Sequence, residues 1–236
     1  GFFYTALCQF IGFDKFGEEY KVMGLAPYGE DNYRKLMDKL LMLGKNDWFK
    51  LGKGYFGMHS GGENDAVDEE KQILMARFYT DKLIKHLGPP RDRNLEITQR
   101  EMDIAKSTQV RFEEAAVHCI NKLHRLVPSS QLAMAGGCAL NGVANARILR
   151  ETEFISPYLQ PASSDDGTAI GAAYACWHLK LGNHKRFHMK HAFWGPEYSE
   201  KQMEKAALSS GYEFKKLNNE KQTINLTAQH IAKGSI

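Results

Sequence analysis

The clearest pattern of apolar positions along the chain runs through residues 99–127. Apolar side chains return there at alternating steps of three and four residues, which is the period of one helix face. The stripe consists of Met102, Ala105, Gln109, Phe112, Ala116, Cys119, Leu123 and Leu126. An unsatisfied buried amide costs about 1–3 kcal/mol, so the one polar member, Gln109, must form hydrogen bonds. We therefore predict a long helix that Gln109 and Asp103 fix against a sheet.

Shorter periodic segments precede this helix. They predict an amphipathic helix at residues 2–12, a helical turn at 19–29, and two further helices at 31–44 and 65–86. Gly12 or Gly17 would end the first helix, and Gly88 with two following prolines would end the last. The aromatic and glycine-rich stretch 47–62 predicts strands or an irregular excursion.

Strand and helix patterns alternate after the long helix. A strand at residues 131–135 leads through two glycines, 136–137, into a helix at 142–150. A second strand extends up to residue 161, and an acidic turn at 163–167 then opens a small-residue helix at 168–179. This alternation is typical of α/β proteins, which bind ligands at the carboxyl ends of their strands. We therefore expect the two turns to lie side by side at one edge of a sheet.

The rest of the chain predicts a linker and a further α/β segment. Residues 182–195 are basic and rich in histidine. The segments after them predict a capped helix at residues 199–209, a strand at 212–216 and a helix at 223–233.

The segment Gly136–Asn141, called the glycine turn below, is the strongest local signal. Paired glycines after a strand let the backbone approach an anion, and the N-terminus of the next helix offers free N–H groups to phosphate. Asn141 would cap that helix or bind a nucleotide. A plain strand-to-helix turn is the alternative interpretation.

The segment Ser163–Gly167, called the acidic turn below, is the second signal. Its adjacent carboxylates, Asp165 and Asp166, suit an N-cap together with a metal ligand or a phosphate-facing acid. The alternative interpretation is that both carboxylates only cap the helix and face solvent. The small residues of the helix that follows predict close packing against another backbone. We therefore expect this helix to be buried and its acidic start to face a specific ligand.

Composition excludes several classes of protein. The 236 residues carry 31 Lys and Arg against 28 Asp and Glu, a formal net charge of +3, which is too small an excess to indicate nucleic acid or an anionic membrane. The sequence contains no apolar run of about 18 residues, so no transmembrane helix is predicted. Scattered cysteines, at Cys8, Cys119, Cys138 and Cys176, favour a reducing cytoplasm over a disulfide framework. The first residues lack an initiator Met and a signal peptide, and we expect the natural chain to extend beyond both ends.

Two further patterns are weak. Gly52–Gly57 satisfies G-x-G-x-x-G, but no helix pattern follows it, so a dinucleotide site is not indicated. The spacing of His184, His188 and His191 could gather zinc, but the surrounding residues are cationic and offer no carboxylate or thiol. A solvated basic linker is the better interpretation.

Taken together, the motifs resemble one family, the carbamoyltransferases of the nodulation-protein-U and cephalosporin or aminoglycoside O-carbamoylation type. The motifs occur in this order: Lys21–Gly29, Gly88–Arg91, Thr98–Arg100, Asp103–Ala105 with Gln109, Ala135–Asn141 and Asp165–Ala173. The resemblance spans residues 1–180, and a weaker likeness continues from Trp194.

The resemblance implies an actin-like ATPase domain (the ASKHA, RNase H-like fold) of which this chain holds the C-terminal half. It assigns residues 1–180 to that domain, 181–194 to a linker and 195–236 to the start of a YrdC-like α/β domain. The implied cofactors are ATP and a divalent metal, with iron expected. The implied substrates are carbamoyl phosphate and a hydroxyl-bearing acceptor, such as an antibiotic, a lipo-oligosaccharide or another glycan.

Site residues follow from the same resemblance. Gly136, Gly137 and Asn141 match the nucleotide-binding loop, Lys21 and Gly24 match a segment near the nucleotide, and Asp165 matches a metal ligand. The catalytic residues stay unassigned. The family's H-x-x-x-H metal ligands are absent from this sequence, and the family's phosphate-binding arginines belong to the C-terminal domain. Where the family usually has Arg-His-Lys-Asp-Ile-Ala, this chain has Arg100–Ala105, which lacks the histidine. Lys21 is equally consistent with a surface lysine.

Two other functions stay open. A tRNA threonylcarbamoyl transferase has the same fold but a Tyr-Pro-Gly-Gly-Pro-like segment, where this chain has Ala26–Gly29. A non-catalytic actin-like module would bind nucleotide without transferring a group. We expect no turnover from these 236 residues alone.

Overall fold

The computed structural model describes residues 1–45, 47–57, 66–67, 73–74, 76–187 and 189–235. The chain forms two compact units, Gly1–Lys185 and Arg186–Ile236. The described helices of the first unit are α1 (Phe2–Phe10), α2 (Glu19–Leu25), α3 (Arg34–Leu40), α4 (Asp81–Leu87), α5 (Gln99–Leu126), α6 (Gly142–Glu151) and α7 (Thr168–Ala175). Its described strands are β1 (Leu41–Met42), β2 (Lys50–Leu51), β3 (Ala66–Val67), β4 (Ile73–Leu74), β5 (Ala133–Met134) and β6 (Tyr158–Leu159).

Helix α1 lies in the main hydrophobic core. Every residue of it after Phe2 is buried, which corrects the prediction of an amphipathic helix. Gly12 ends the helix with φ +85°, a conformation that other residues rarely adopt. The Arg91 guanidinium lies beside Gly12 and donates to the carbonyl oxygen of Ile11 at 2.7 Å. The helix end is therefore fixed by a residue distant in sequence.

Helix α5 spans the first unit and confirms the predicted long helix. A capping box starts it, in which the Thr98 N–H donates to the Glu101 carboxylate at 3.0 Å. The predicted apolar stripe covers only part of the buried surface, because α1, α2 and α3 pack around the N-terminal half. Several polar side chains are buried there, namely Glu101, Asp103, Ser107, Thr108, Gln109 and Arg111. The last predicted member of the stripe, Leu126, is 62% exposed.

A tight turn at Ala26–Tyr28 packs directly on α5. A Cβ on Gly29 would lie 2.0 Å from the carbonyl oxygen of Met102, so only glycine fits. The Asp103 carboxylate accepts from the Glu30 N–H at 2.9 Å and from the Asn32 amide at 2.8 Å. Burial alone would raise the pKa of Asp103, but these bonds and one from Gln99 outweigh it and lower the pKa. Asp103 thus has the fixing role predicted for it, although its partners belong to a turn.

Strands β5 and β6 pair in parallel, with α6 between them in the chain. A small cluster of Leu132, Ile148 and Phe154 packs beneath them. The other described pairs, β1 with β2 and β3 with β4, are antiparallel. The architecture is mainly helical with few short strands, which is consistent with the predicted α/β class.

Three predictions about the helices of the first unit are wrong. The helix predicted over 65–86 begins only at Asp81. Strands β3 and β4 occupy part of the stretch before it, and some other residues of that stretch lie outside the described residues. The helix predicted for 31–44 covers only Arg34–Leu40, because the chain then turns into β1. Helix α7 contains no buried residue, so its small side chains do not produce the burial that we expected.

The second unit contains α8 (Glu200–Ser209) and α9 (Glu220–Ala232), close to their predicted bounds. Ser199 caps α8 and Asn219 caps α9 through side-chain oxygens. Residues 212–216 form no strand, which corrects the prediction. No helix among the residues described in either unit has the length and apolar character needed to cross a bilayer.

Candidate functional site

The glycine turn and the acidic turn lie side by side, as the sequence predicted. Strands β5 and β6 run parallel, with Ala133 opposite Tyr158 and Met134 opposite Leu159. The turns that follow the two strands therefore emerge at the same edge. The Gly136 N–H donates to the carbonyl oxygen of Ser163 at 2.6 Å and joins the turns directly.

Glycine is required at the start of the glycine turn. Gly136 has φ +93° and ψ 158°, a region that residues with a side chain essentially do not occupy. It redirects the chain from β5 into a single 3₁₀ turn at Gly137–Leu140. Gly137 itself is exposed, and a Cβ there would meet only the Ser164 hydroxyl, at 3.7 Å. The space in front of Gly137 is therefore open to a ligand.

The acidic turn is shaped by a different constraint. A Cβ on Gly167 would lie 2.0 Å from the carbonyl oxygen of Ala162, so the chain can close only with glycine. The Gly167 N–H donates to the carbonyl oxygen of Ser164 at 3.0 Å. The Thr168 hydroxyl donates to the carbonyl oxygen of Asp165 at 2.5 Å. These bonds fix the short 3₁₀ turn that opens α7.

Both turns contain backbone N–H groups that belong to exposed residues. Those of Gly137 and Cys138, and those of Asp165 and Asp166, make no hydrogen bond to any residue that the structure describes. The first N–H groups of a helix lack partners within the helix and carry partial positive charge. Two such sets at one edge form an arrangement that suits a polyphosphate.

Asn141 occupies the N-cap of α6, one of the two roles predicted for it. Its side-chain oxygen accepts from the Ala144 N–H at 3.0 Å. The same oxygen accepts from the Gln109 amide at 3.0 Å, and the Asn141 amide donates to the Gln109 oxygen at 2.9 Å. Gln109 thus finds the partners that its buried position demanded. The Tyr4 hydroxyl also donates to Gln109, at 2.6 Å, a contact that no local sequence signal indicated.

The carboxylates of Asp165 and Asp166 are exposed, and neither pairs with a described residue. No group of three His, Cys, Asp or Glu side chains in the described part of the chain could hold a metal ion. Divalent cations need several ligands, so the acidic turn does not form a metal site by itself. His188 lies outside the described residues, so the interpretation of the three histidines as a solvated linker stays a prediction.

Lys21 and Gly24 lie on α2, and Lys21 forms a separate ion-pair network. The Lys21 ammonium contacts Glu18 at 2.5 Å, and Arg93 contacts the same carboxylate at 2.6 Å. Burial alone would raise the pKa of Glu18, but hydrogen bonds from Lys21, from the Lys15 N–H and from Arg93 hold it below its ordinary value. Gly24 is exposed, with open space where a Cβ would lie. Both residues stay predicted nucleotide contacts.

An apolar cleft of about 320 Å³ lies beside the glycine turn. Its walls come from α1, β1, β2, α5, β5, the glycine turn and α6, and include Phe2, Phe49, Phe112, Ile120, Met134 and Cys138. Cys138 belongs to both the cleft and the glycine turn. The cleft offers contact with apolar groups and few polar partners.

The chain resembles several proteins over most of its length. It is 37% identical over 211 residues to an uncharacterized protein of Synechocystis, covering 86% of this chain and 32% of that protein. It is 27% identical over 238 residues to the nodulation protein NolO of Bradyrhizobium diazoefficiens, covering 100% of this chain and 39% of NolO. It is 27% identical over 220 residues to NolNO of Sinorhizobium fredii, covering 89% and 28%. The chain thus spans about a third of the length of these curated relatives.

A family model provides the assignment. The model described as the carbamoyltransferase N-terminus matches residues 1–174, which include α1 to α6, both turns and most of α7. The match contains every residue that the sequence predicted for nucleotide or metal binding. This chain belongs to the carbamoyltransferase family.

Proposed function

We propose that this chain supplies the ATP-binding part of an O-carbamoyltransferase. The observation that supports the proposal most directly is the hydrogen bond from Gly136 to Ser163, which holds the free N–H groups of two turns at one edge. Gly136, Gly137 and Asn141 would form one side of the phosphate site. The N-terminus of the segment that leads into α7 would form the other side.

Backbone N–H groups suit this role chemically. They donate hydrogen bonds without bringing a side chain that competes for the site, and they are already oriented before the ligand arrives. The open space at Gly137 allows phosphate oxygens to approach the backbone. The site would therefore bind the phosphates of ATP mainly through the main chain.

The proposed reaction uses ATP and carbamoyl phosphate to form carbamoyl-adenylate. Water first splits carbamoyl phosphate into carbamate and phosphate. A carbamate oxygen then bonds to the α-phosphorus of ATP, the bond from that phosphorus to the oxygen of the β-phosphate breaks, and pyrophosphate leaves. Finally, the oxygen of an acceptor hydroxyl bonds to the carbamoyl carbon and gives up its proton to solvent, the bond from that carbon to the AMP phosphate oxygen breaks, and AMP leaves with the electron pair. The acceptor would be an antibiotic, a lipo-oligosaccharide or another glycan. We assign residues 1–180 to an actin-like domain, 181–194 to a linker and 195–236 to the start of a YrdC-like domain.

A divalent metal, iron by family resemblance, would offset phosphate charge in such an enzyme. Asp165 would contribute one carboxylate oxygen, and the ligand set among the described residues is too small to hold the ion alone. No step of the proposed reaction is therefore assigned to a metal bound by this chain. Lys21 and Gly24 would lie near the nucleotide, although the Lys21 ammonium already pairs with Glu18.

Two measurements test the proposal. Isothermal titration calorimetry of this chain with ATP should show saturable binding that AMP competes for weakly, because AMP carries a single phosphate and cannot contact both sets of N–H groups. Product analysis of the complete protein with ATP, carbamoyl phosphate and candidate acceptors should show a carbamoylated hydroxyl. Modified tRNA would instead support a threonylcarbamoyl transferase, and nucleotide binding without any product would support a non-catalytic module.

A further inference from the structure

A series of hydrogen bonds between buried and half-buried residues connects the hydrophobic core to the glycine turn. It begins at the Tyr4 hydroxyl on α1, which donates to the side-chain oxygen of Gln109 on α5 at 2.6 Å. Gln109 and Asn141 then form a reciprocal amide pair, with bonds of 3.0 and 2.9 Å. Asn141 accepts from the Ala144 N–H at 3.0 Å and so caps α6. Three helices thus meet at a single glutamine.

Gln109 has little freedom to move. Only 3% of its surface is exposed, and its amide also donates to the Glu113 carboxylate at 2.8 Å. Burial raises the pKa of the Tyr4 hydroxyl, which keeps that group protonated and able to donate. Glu113 in turn contacts Arg147 of α6 at 3.5 Å. Every polar atom of the Gln109 side chain therefore has a partner.

Asn141 is the member of this series of hydrogen bonds that belongs to the glycine turn. Its oxygen already accepts two hydrogen bonds, and one of its amide hydrogens is given to Gln109. Rotation of the Asn141 side chain would break the cap and release the first turn of α6. The orientation of the free N–H groups at Gly137 and Cys138 depends on that first turn, since the two segments are continuous.

We infer that Gln109 is a positioning residue for phosphate binding, which acts through Asn141 and is supported from the core by Tyr4. The inference rests on the proposed function, because it concerns the same site. Gln109 lies below the turn and does not contact the ligand. Its contribution is to hold the first turn of α6, and through it the N–H groups of Gly137 and Cys138, in the orientation that binds ATP.

The test is a double-mutant cycle on ATP affinity, measured by calorimetry with this chain at a temperature where every variant is folded. Gln109→Leu should weaken ATP binding about tenfold, which corresponds to about 1.4 kcal/mol. Asn141→Ala should have a similar effect. The double variant should also lose about tenfold, because the two residues act in series.

Two further variants separate positioning from general stability. Thr108→Val is the matched control, since Thr108 is a fully buried neighbour on α5. Among the described residues, its hydroxyl bonds only within the helix, to Ile104 at 2.7 Å. It should leave ATP affinity unchanged. Tyr4→Phe removes one hydroxyl, keeps the ring packed on Phe112 and should weaken binding about threefold. This variant keeps the inference testable if Gln109→Leu does not fold.

Each outcome either supports or contradicts the positioning role of Gln109. Tenfold losses that do not add support the role of Gln109. A hundredfold loss in the double variant, or Gln109→Leu binding ATP as well as Thr108→Val does, overturns it while the proposed function stands. Equal binding by Tyr4→Phe and the parent chain contradicts the stated support from Tyr4, and it overturns the inference if Gln109→Leu does not fold. If the parent chain does not bind ATP, the proposed function fails and the inference fails with it.

Discussion

The backbone N–H of Gly136 donates a hydrogen bond of 2.6 Å to the carbonyl oxygen of Ser163. The two residues belong to turns that follow parallel strands, and the bond holds those turns together beyond the last paired residues. Both turns present N–H groups that have no partner among the described residues. The following predictions test whether this arrangement serves the fold, the ligand or both.

Gly136→Ala should destabilise the chain. Its φ of +93° with ψ of 158° forces an alanine into a strained region, at a cost of about 1–3 kcal/mol. Urea denaturation measures the change in the free energy of unfolding. Gly171→Ala is the control, because Gly171 lies in helix α7 with open space for a Cβ, and it should stabilise by about 0.5–1 kcal/mol. Equal effects of the two substitutions would contradict the prediction.

Gly137→Ala should separate binding from folding. Its Cβ would make only an ordinary contact with Ser164 at 3.7 Å, so the free energy of unfolding should change by no more than about 0.5 kcal/mol. The methyl group would nevertheless occupy the space in front of the N–H groups, and ATP affinity should fall at least about tenfold. Calorimetry and denaturation on the same sample measure both quantities.

Gly167→Ala is the comparison variant for Gly137→Ala, at a glycine where a Cβ does not fit. Its Cβ would clash with the carbonyl oxygen of Ala162 at 2.0 Å, so the acidic turn must shift at a cost of about 1–3 kcal/mol. Both stability and ATP affinity should fall together. If Gly137→Ala reduced stability as much as Gly167→Ala does, the glycine turn would be a structural feature alone.

Asp165→Asn should change ATP binding in opposite directions with and without metal. In a chelating buffer the exposed carboxylate repels phosphate, so its removal should strengthen binding about twofold to threefold. With a divalent cation present, the carboxylate is proposed to contribute one ligand, so its removal should weaken binding. Titrations in the two buffers provide the comparison. A change of the same sign in both would remove Asp165 from any metal-linked role.

Stability should fall in acid as Glu18 loses its charge. Its pKa is lowered in the folded chain from an ordinary value of 4.5. A lowered carboxyl pKa contributes stability above the unfolded-state value and loses it as pH falls through the folded-state value. The urea midpoint should therefore decline as the pH falls below the ordinary value of 4.5, and Glu18→Gln should flatten part of that decline. Glu204→Gln, at an exposed position on α8, should not flatten it.

Much of the local structure could be predicted from the sequence. The bounds of α5, α6, α8 and α9 follow from apolar period and capping residues, since these signals act within a few positions of each other. The prediction over 65–86 failed because a helical period does not exclude short paired strands, which depend on partners that local periodicity does not reveal. The expected burial of α7 failed for a related reason, because small residues permit close packing but do not supply a neighbour.

The sequence by itself determined the family, the parallel strand–turn–helix order and the need of Gln109 for partners. Only the tertiary structure decided which partners those are. Tyr4 and Asn141 lie 105 and 32 positions from Gln109, and hydrogen bonds over such separations depend on how α1, α5 and α6 pack. The same is true of Gly136 and Ser163, because a glycine specifies a permitted backbone angle, whereas the approach of a second turn depends on the pairing of two strands.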